Sequence, residues 1–206
     1  MRKNLLMLFA GSLVMMVAAT QAQAKLDGGL IDVSFGNKEN VPSGKAVLGA
    51  DADKWNAMDG ANGDKVALTN AKGDATDVKV TFASEATWDS DEAGFIGTPF
   101  EKLLRHYLYT KDAKKVTLSG LTPNAAYDLI VYSASNAEDR KTKFTVGKDS
   151  KTTTYAKDKK ELADGVNYAK FTATADADGS VTITYEGAGD DGEGNFNGLQ
   201  ISPQAK

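Results

Sequence analysis

Two tryptophans in the chain lie in predicted loops and directly precede residues whose side chains can form hydrogen bonds. Trp88 lies in the run Thr-Trp-Asp-Ser-Asp and is followed by Asp89, while Trp55 is followed by Asn56. Sugars present apolar ring faces that stack on aromatic side chains, and their hydroxyls bond to polar groups that fix the orientation. These two pairs therefore indicate a site that could bind carbohydrate.

Two further residues extend this candidate site, namely a tyrosine at the end of a predicted short helix and an arginine near a predicted loop. The expected ligand-binding residues are Trp88, Asp89, Trp55, Asn56, Tyr109 and Arg140. Each tryptophan also has a structural interpretation, as a ring that closes one end of a protein core. That interpretation is preferred for Trp55, whereas both remain open for Trp88 because its neighbours are all polar.

An acidic segment near the C-terminus offers hard oxygen ligands in a flexible loop. The candidate calcium ligands are Asp190, Asp191, Glu193 and Asn195. Calcium prefers six to eight such oxygens, but the ligand spacing of an EF-hand is missing, so a solvated loop is the alternative. A shorter acidic run, Asp176–Gly179, is better explained as a hairpin turn.

Catalytic chemistry is not expected from this sequence. The chain has no cysteine and a single histidine, His106, which is interpreted as a surface or helix-packing residue. The acidic group Asp89, Asp91 and Glu92 could in principle hydrolyse glycosides as a carboxylate pair. Acidic clusters in loops usually only solvate the surface, so the protein is expected to be a non-enzyme.

The elements that must position these residues are strands. Apolar residues alternate with polar ones through most of the chain, as in Val78, Val80 and Phe82. One strand, Tyr127 to Tyr132, is apolar on both faces and should be central in its sheet. Short strands separated by turns rich in Gly, Asp and Asn, including a hairpin at Asp178-Gly179, predict an all-β sandwich of jelly-roll type.

One segment departs from the strand pattern. Thr98-Pro99-Phe100-Glu101 has the composition of a helix start, with Thr98 as the cap and Glu101 completing a capping box. Apolar residues at helical spacing then predict a short helix from about Pro99 to Tyr107. The long irregular loops are expected at 51–63, 85–97 and 187–195.

The first residues are typical of an export signal. Arg2 and Lys3 precede an apolar run from Leu5 to Ala19, and Ala22-Gln23-Ala24 is a small-x-small cleavage site. The run is shorter than the ~20 residues that span a bilayer. We therefore expect a signal peptide at 1–24, one domain at 25–206, no membrane span, and a secreted or periplasmic product.

The charge balance is mildly acidic, with 24 Lys and Arg against 28 Asp and Glu, so nucleic acid is not an expected partner.

Several segments taken together carry a family resemblance. They are Ile31–Gly36, Val47–Ala50, Trp55-Asn56, Leu104–Tyr109, Val116–Leu121, Tyr127–Leu129, Val166–Tyr168 and Asn197–Ile201. In order and spacing this set resembles a galactose-binding-like jelly-roll domain, of the kind found among carbohydrate-binding modules. The resemblance covers about Leu30 to Ile201 and implies a β-sandwich that binds glycan at one end. It transfers no binding residue.

A second resemblance leaves an alternative open. Leu121 to Tyr127 is similar to the tyrosine corner of fibronectin type III domains, in which the hydroxyl bonds back to the backbone. A fibronectin domain is half this length.

Taken together, these features of the sequence favour an exported, non-catalytic binding module whose ligand is a glycan or polysaccharide. The alternative is a structural or adhesion protein of the envelope or matrix that binds protein partners.

Overall fold

The regular elements of the described chain are almost all β-strands, as the alternation of apolar and polar residues predicts. The computed structural model describes residues 29–91, 95–137, 140–154 and 160–204, and the predicted signal peptide lies outside them. The described strands are β1 (Ile31–Ser34), β2 (Asn56–Ala57), β3 (Asn62–Thr69), β4 (Ala75–Ala83), β5 (Ala86–Asp89), β6 (His106–Thr110), β7 (Lys114–Ser119), β8 (Ala126–Tyr132), β9 (Lys141–Val146), β10 (Asp149–Thr154), β11 (Tyr168–Thr174), β12 (Val181–Gly187), β13 (Gly194–Phe196) and β14 (Gly198–Pro203). A short helix, α1, spans Glu101–Leu104.

The strands form three sheets. A five-stranded sheet has the order β11-β8-β14-β1-β2, and a six-stranded sheet has the order β10-β9-β12-β7-β4-β3. One buried apolar cluster draws residues from both, so the two sheets pack face to face. A smaller sheet, β13-β6-β5, completes the described structure. The prediction of an all-β sandwich with one short helix is confirmed.

Strand β8 is central, as its two apolar faces predict. It lies between β11 and β14 and pairs with each in antiparallel register. Leu129 and Val131 point into the core between the sheets, whereas Ile130 and Tyr132 point to the outer face. All four side chains are buried, because a second apolar cluster covers that outer face.

Helix α1 belongs to this outer cluster and is shorter than predicted. Leu103 and Leu104 are buried there, and Glu101 accepts a hydrogen bond from the Gly97 N–H at 2.8 Å. The predicted helical end at Tyr107 is wrong, since the chain continues as β6, which pairs with β5 and β13. Aromatic and β-branched residues in His-Tyr-Leu-Tyr-Thr favour a strand, and pairing on both sides outweighs the helical spacing. Within the described residues, no helix has the length and apolar character needed to cross a membrane.

The predicted hairpin at Asp178-Gly179 is also wrong. A tight turn does occur there, with the Asp176 carboxylate accepting the N–H groups of Asp178 and Ser180 at 3.0 and 2.8 Å. The flanking strands, however, belong to different sheets: β11 pairs with β8, and β12 pairs with β7 and β9. The turn therefore carries the chain across the sandwich, which turn residues alone do not distinguish from a hairpin.

The tyrosine corner exists as a local motif. The Tyr127 hydroxyl accepts a hydrogen bond from the Thr122 N–H at 2.9 Å. Its strand lies in the same sheet as β1 and β14, which come from opposite ends of the described chain. The segments before and after the corner thus share one sheet, which differs from the arrangement that a half-length fibronectin domain requires.

Candidate functional site

A pocket of about 300 Å³ lies against the small sheet β13-β6-β5. Its lining residues are Ala86, Trp88, Tyr109, Asn136, Arg140 and Glu193. Three of these, the tryptophan, the tyrosine and the arginine, were expected to bind a ligand. Glu193 was expected as a calcium ligand, and Asn136 was not identified from the sequence.

Trp88 provides the apolar surface of the pocket. It lies in β5, an edge strand, and not in the loop that its polar neighbours predicted. Strand alternation places Ala86 and Trp88 on the same face, where they stand opposite Tyr109 and Tyr107 of β6. Trp88 is 54% exposed, the largest exposed fraction among the large hydrophobic side chains of the described residues.

Arg140 forms the polar wall of the pocket and is largely buried. Only 11% of its side chain is exposed, and its guanidinium donates to the Tyr107 hydroxyl at 2.8 Å. It forms an ion pair with Glu193 and a longer one with Asp191, at 3.4 Å. The guanidinium carbon also lies 5.9 Å from the centre of the Tyr109 ring. A buried cation requires such compensation, because an unpaired one would lose its hydration without replacement.

Tyr109 and Glu193 connect the two sides of the pocket. The Tyr109 hydroxyl donates to Glu193 Oε1 at 2.6 Å. Desolvation and, after it, the hydrogen bond to the Glu193 carboxylate raise the pKa of Tyr109 to about 12. The phenol therefore stays protonated at neutral pH. Glu193 enters the pocket from a tight loop, since a Cβ at Gly194 would lie 2.8 Å from the Gly187 nitrogen.

Two buried asparagines beneath the pocket hold its parts together. Asn195 and Asn197 lie two residues apart, so both side chains leave the same face of the chain. Asn195 donates to the Ala134 carbonyl at 2.6 Å, and Asn197 accepts from the Ala134 N–H at 2.7 Å. Ala134 begins the segment that carries Asn136 and Arg140. The Asn-x-Asn spacing is the sequence signal that could have identified this network.

Of the predicted calcium ligands, Asp191 and Glu193 lie together at Arg140, and Asn195 does not join them. The Asn195 side chain points into the core, where its oxygen accepts from the Thr142 hydroxyl at 3.1 Å. Glu193 and Asp191 both pair with Arg140. Among the described residues, no group of three or more His, Asp or Glu side chains is arranged to hold a metal ion. Asp191 and Glu193 therefore pair with the guanidinium of Arg140, more than fifty residues earlier in the chain.

Asp89 lies on the opposite face of β5 from Trp88. Its carboxylate accepts two hydrogen bonds from Arg105, at 2.5 and 2.9 Å, and lies 3.9 Å from His106 Nδ1. The bonds from Arg105 hold the pKa of Asp89 below its usual range. An ionised carboxylate in this arrangement cannot donate a proton to a glycosidic oxygen at neutral pH. Glu92, a possible partner, is outside the described residues.

Trp55 and Asn56 have structural partners. Trp55 is 7% exposed, packs in the outer apolar cluster and donates to the Gly44 carbonyl at 3.0 Å. Asn56 donates to the carbonyls of Asp32 and Thr69 and accepts from the Thr69 N–H at 2.8 Å. Neither residue lines the pocket described above. Trp55 is thus a buried ring with structural partners, and it also borders a second pocket.

Comparison with known proteins gives structural likeness only. No protein-family profile matches the chain. No curated protein matches it either. Among solved structures, it is similar to the ANX2 ectodomain from Arabidopsis thaliana, with 9% identity, a TM-score of 0.49, and coverage of 86% of this chain and 50% of that one. A structure of the plant receptor-like kinase ANX2 is 10% identical, with a TM-score of 0.48, and the match covers 86% of this chain and 48% of the ANX2 chain. A structure of the plant receptor-like kinase ANX1 is 10% identical, with a TM-score of 0.37, and the match covers 71% of this chain and 55% of the ANX1 chain. The chain therefore spans about half the length of these structures.

Proposed function

We propose that this protein is an exported, non-catalytic module that binds carbohydrate in the pocket between Trp88 and Arg140. The observation that supports this proposal most strongly is the exposed indole of Trp88, which borders a wall of paired polar groups. An indole left in water forgoes the stabilisation that burial of apolar surface provides. A ligand with one apolar face would cover the ring and recover that stabilisation.

The shape and chemistry of the pocket fit a sugar ring. Its volume of about 300 Å³ is at the lower end of the range for small-molecule sites, ~300–1,000 Å³. A pyranose would stack one face on Trp88 and direct its hydroxyls toward Asn136, Arg140 and Glu193. These residues offer donors and acceptors side by side, as adjacent hydroxyls require. Stacking plus a few hydrogen bonds gives weak affinity, and a dissociation constant of about 1 mM corresponds to about −4 kcal/mol.

Replacing Trp88 with alanine tests this function. We expect Trp88→Ala to lose detectable retention in affinity electrophoresis through gels containing soluble galactan, mannan, xylan or β-glucan, whichever of these retains the wild type. The reason is that the indole supplies the stacking surface. Because its ring is mostly exposed, the substitution should leave the melting temperature nearly unchanged.

Trp55→Ala is the matched control, since it removes an equally large ring that is buried away from the pocket. That variant should lower the melting temperature, while its folded fraction retains the glycan. The proposal fails if no glycan retains the wild type, if Trp88→Ala is retained as the wild type is, or if Trp88→Ala chiefly lowers the melting temperature.

A further inference from the structure

We infer that the pocket selects neutral glycans over anionic ones, and that Glu193 determines this selectivity by neutralising Arg140. The inference rests on the proposed carbohydrate-binding function. An arginine in a sugar pocket would ordinarily suggest a uronic acid or a sulfated sugar as ligand, because a guanidinium binds carboxylates and sulfates with two parallel hydrogen bonds. The contacts of Arg140 oppose that assignment.

Three of the five N–H groups of Arg140 already have partners. Its Nε faces Asp191 Oδ2 at 3.4 Å, one terminal nitrogen donates to the Tyr107 hydroxyl at 2.8 Å, and the other pairs with Glu193 Oε2. With only 11% of its side chain exposed, Arg140 cannot swing out to meet a ligand without leaving these partners. The edge formed by Nε and one terminal nitrogen, which could give a carboxylate two parallel hydrogen bonds, therefore faces the protein's own acids.

An anionic ligand would also meet repulsion. A sugar carboxylate within reach of Arg140 would approach the Glu193 carboxylate, which is 21% exposed and lines the pocket, and would lie near Asp191. Like charges a few ångströms apart in a partly buried site repel strongly. Lys111 Nζ lies 3.7 Å from Glu193 Oε1, but its side chain is 63% exposed and water screens it. Neutral hydroxyls meet no such penalty and can both donate to Glu193 and accept from Asn136.

The test compares each neutral polysaccharide with its own carboxylated form. Galactan and mannan are oxidised at C6, so that the members of each pair differ only in whether C6 carries a hydroxyl or a carboxylate. The methyl ester of the oxidised form, which is neutral and also lacks the C6 hydroxyl, separates the effect of charge from the loss of that hydroxyl. The wild type should be retained by the neutral member of a pair and about tenfold less by the oxidised member. Glu193→Gln keeps an oxygen that accepts from Tyr109 but removes one negative charge from Arg140. We expect it to improve retention by the oxidised member about tenfold relative to the neutral one, on the order of one close charge interaction.

Glu186→Gln is the matched control. Glu186 pairs with Lys143 at 2.8 Å on the six-stranded sheet, so its substitution makes the same change in net charge at a side chain that does not line the pocket. It should leave the ratio of the two affinities unchanged. Glu186→Gln should melt as the wild type does, whereas Glu193→Gln should melt at a lower temperature, because Arg140 is largely buried and loses part of its compensation. Retention is therefore compared at a temperature at which all three proteins are folded. Added salt should reduce the gain of Glu193→Gln.

The outcomes separate the two claims. If the wild type binds the oxidised members as well as the neutral ones, or if Glu193→Gln leaves the ratio unchanged, the selectivity inference is wrong while the binding function stands. If Glu186→Gln shifts the ratio as much as Glu193→Gln, global charge and not the pocket is responsible, and the inference is again wrong. If no polysaccharide, neutral or oxidised, retains the wild type, the inference and the proposed function fail together.

Discussion

Replacing Asn197 with leucine is expected to lower the free energy of unfolding by about 2–6 kcal/mol. The Asn197 amide accepts from the Ala134 N–H at 2.7 Å and donates to the Leu104 carbonyl at 2.7 Å and the His106 carbonyl at 3.1 Å. The side chain is fully buried, so water cannot replace these bonds. Leucine has nearly the same volume but leaves two or three backbone groups unpaired, each at a cost of about 1–3 kcal/mol.

Chemical denaturation measures this loss, and Asn62→Leu at an exposed position of β3 is the matched control. The control should change the stability by less than about 0.5 kcal/mol, as is usual at the surface. Because Ala134 begins the segment that carries Arg140, Asn197→Leu should also weaken glycan retention in the folded fraction. A loss of stability equal to that of the control would contradict the role given to the asparagine network.

Lowering the pH is expected to stabilise the protein through Asp32. Above about pH 7 the buried, ionised carboxylate of Asp32 lowers the free energy of unfolding by roughly 4 kcal/mol, and protonation removes that loss. Asp32 is fully buried in β1, where one carboxylate oxygen accepts from Gln200 Nε2 at 2.6 Å. Its other oxygen has no hydrogen-bond partner among the described residues. The pKa of Asp32 is raised to about 7, chiefly because burial disfavours the charged form; the bond from Gln200 lowers the pKa, and the nearby Asp53 carboxylate raises it.

The sign of the effect follows from the direction of the shift. At a pH below the ordinary pKa of about 3.9, Asp32 is protonated in both the folded and the unfolded chain and costs nothing. As the pH rises from there to about 7, the unfolded chain releases its proton while the folded chain keeps it, so stability falls. Above about pH 7 both states are ionised and the penalty is constant.

Asp32→Asn isolates this contribution, because the amide keeps the shape and cannot ionise. Between about pH 5 and pH 8, the stability of the wild type relative to Asp32→Asn should fall by about 3 kcal/mol. Acids whose pKa is lowered on folding, such as Asp89, make stability rise with pH. Their contribution is the same in both proteins, so it cancels when the two stabilities are subtracted. Asp178→Asn at an exposed turn is the control and should show no such trend. Parallel pH profiles for the wild type and Asp32→Asn would show that Asp32 is ionised in the folded protein.

The sequence was informative about the fold because the alternation of apolar residues is a local property. Each side chain of β8 points in the direction that its place in the strand requires, and its two apolar faces correctly indicated a central position. The helix at Pro99 to Tyr107 was predicted too long because Tyr107 and Leu108 satisfy both helical and strand spacing. Only pairing with β5 and β13 decides between them, and pairing is a property of distant residues.

The site was predicted one residue at a time but not as an arrangement. Trp88, Tyr109 and Arg140 were each expected to bind a ligand, and one pocket brings them together. The pairing of β5 with β6 places Trp88 and Tyr109 there, and Arg140 joins them from the position directly before β9. Trp88 and Asp89 are adjacent in sequence, yet strand alternation sends them to opposite faces. The acidic loop resembled a calcium site because composition reveals the ligands, while Arg140, their actual partner, lies 53 residues before Glu193.

The accessibility of the Trp88 indole during glycan binding tests the central claim most directly. The chain has two tryptophans, so Trp55→Phe leaves Trp88 as the only fluorescent indole. In the free protein, acrylamide should quench this emission readily, because the ring is 54% exposed. Addition of the retained glycan should lower the quenching constant and shift the emission to shorter wavelength, with both changes saturating at the concentrations that retard the protein in gels. An unchanged quenching constant at glycan concentrations that saturate binding would mean that the sugar binds elsewhere and that Trp88 is not its platform.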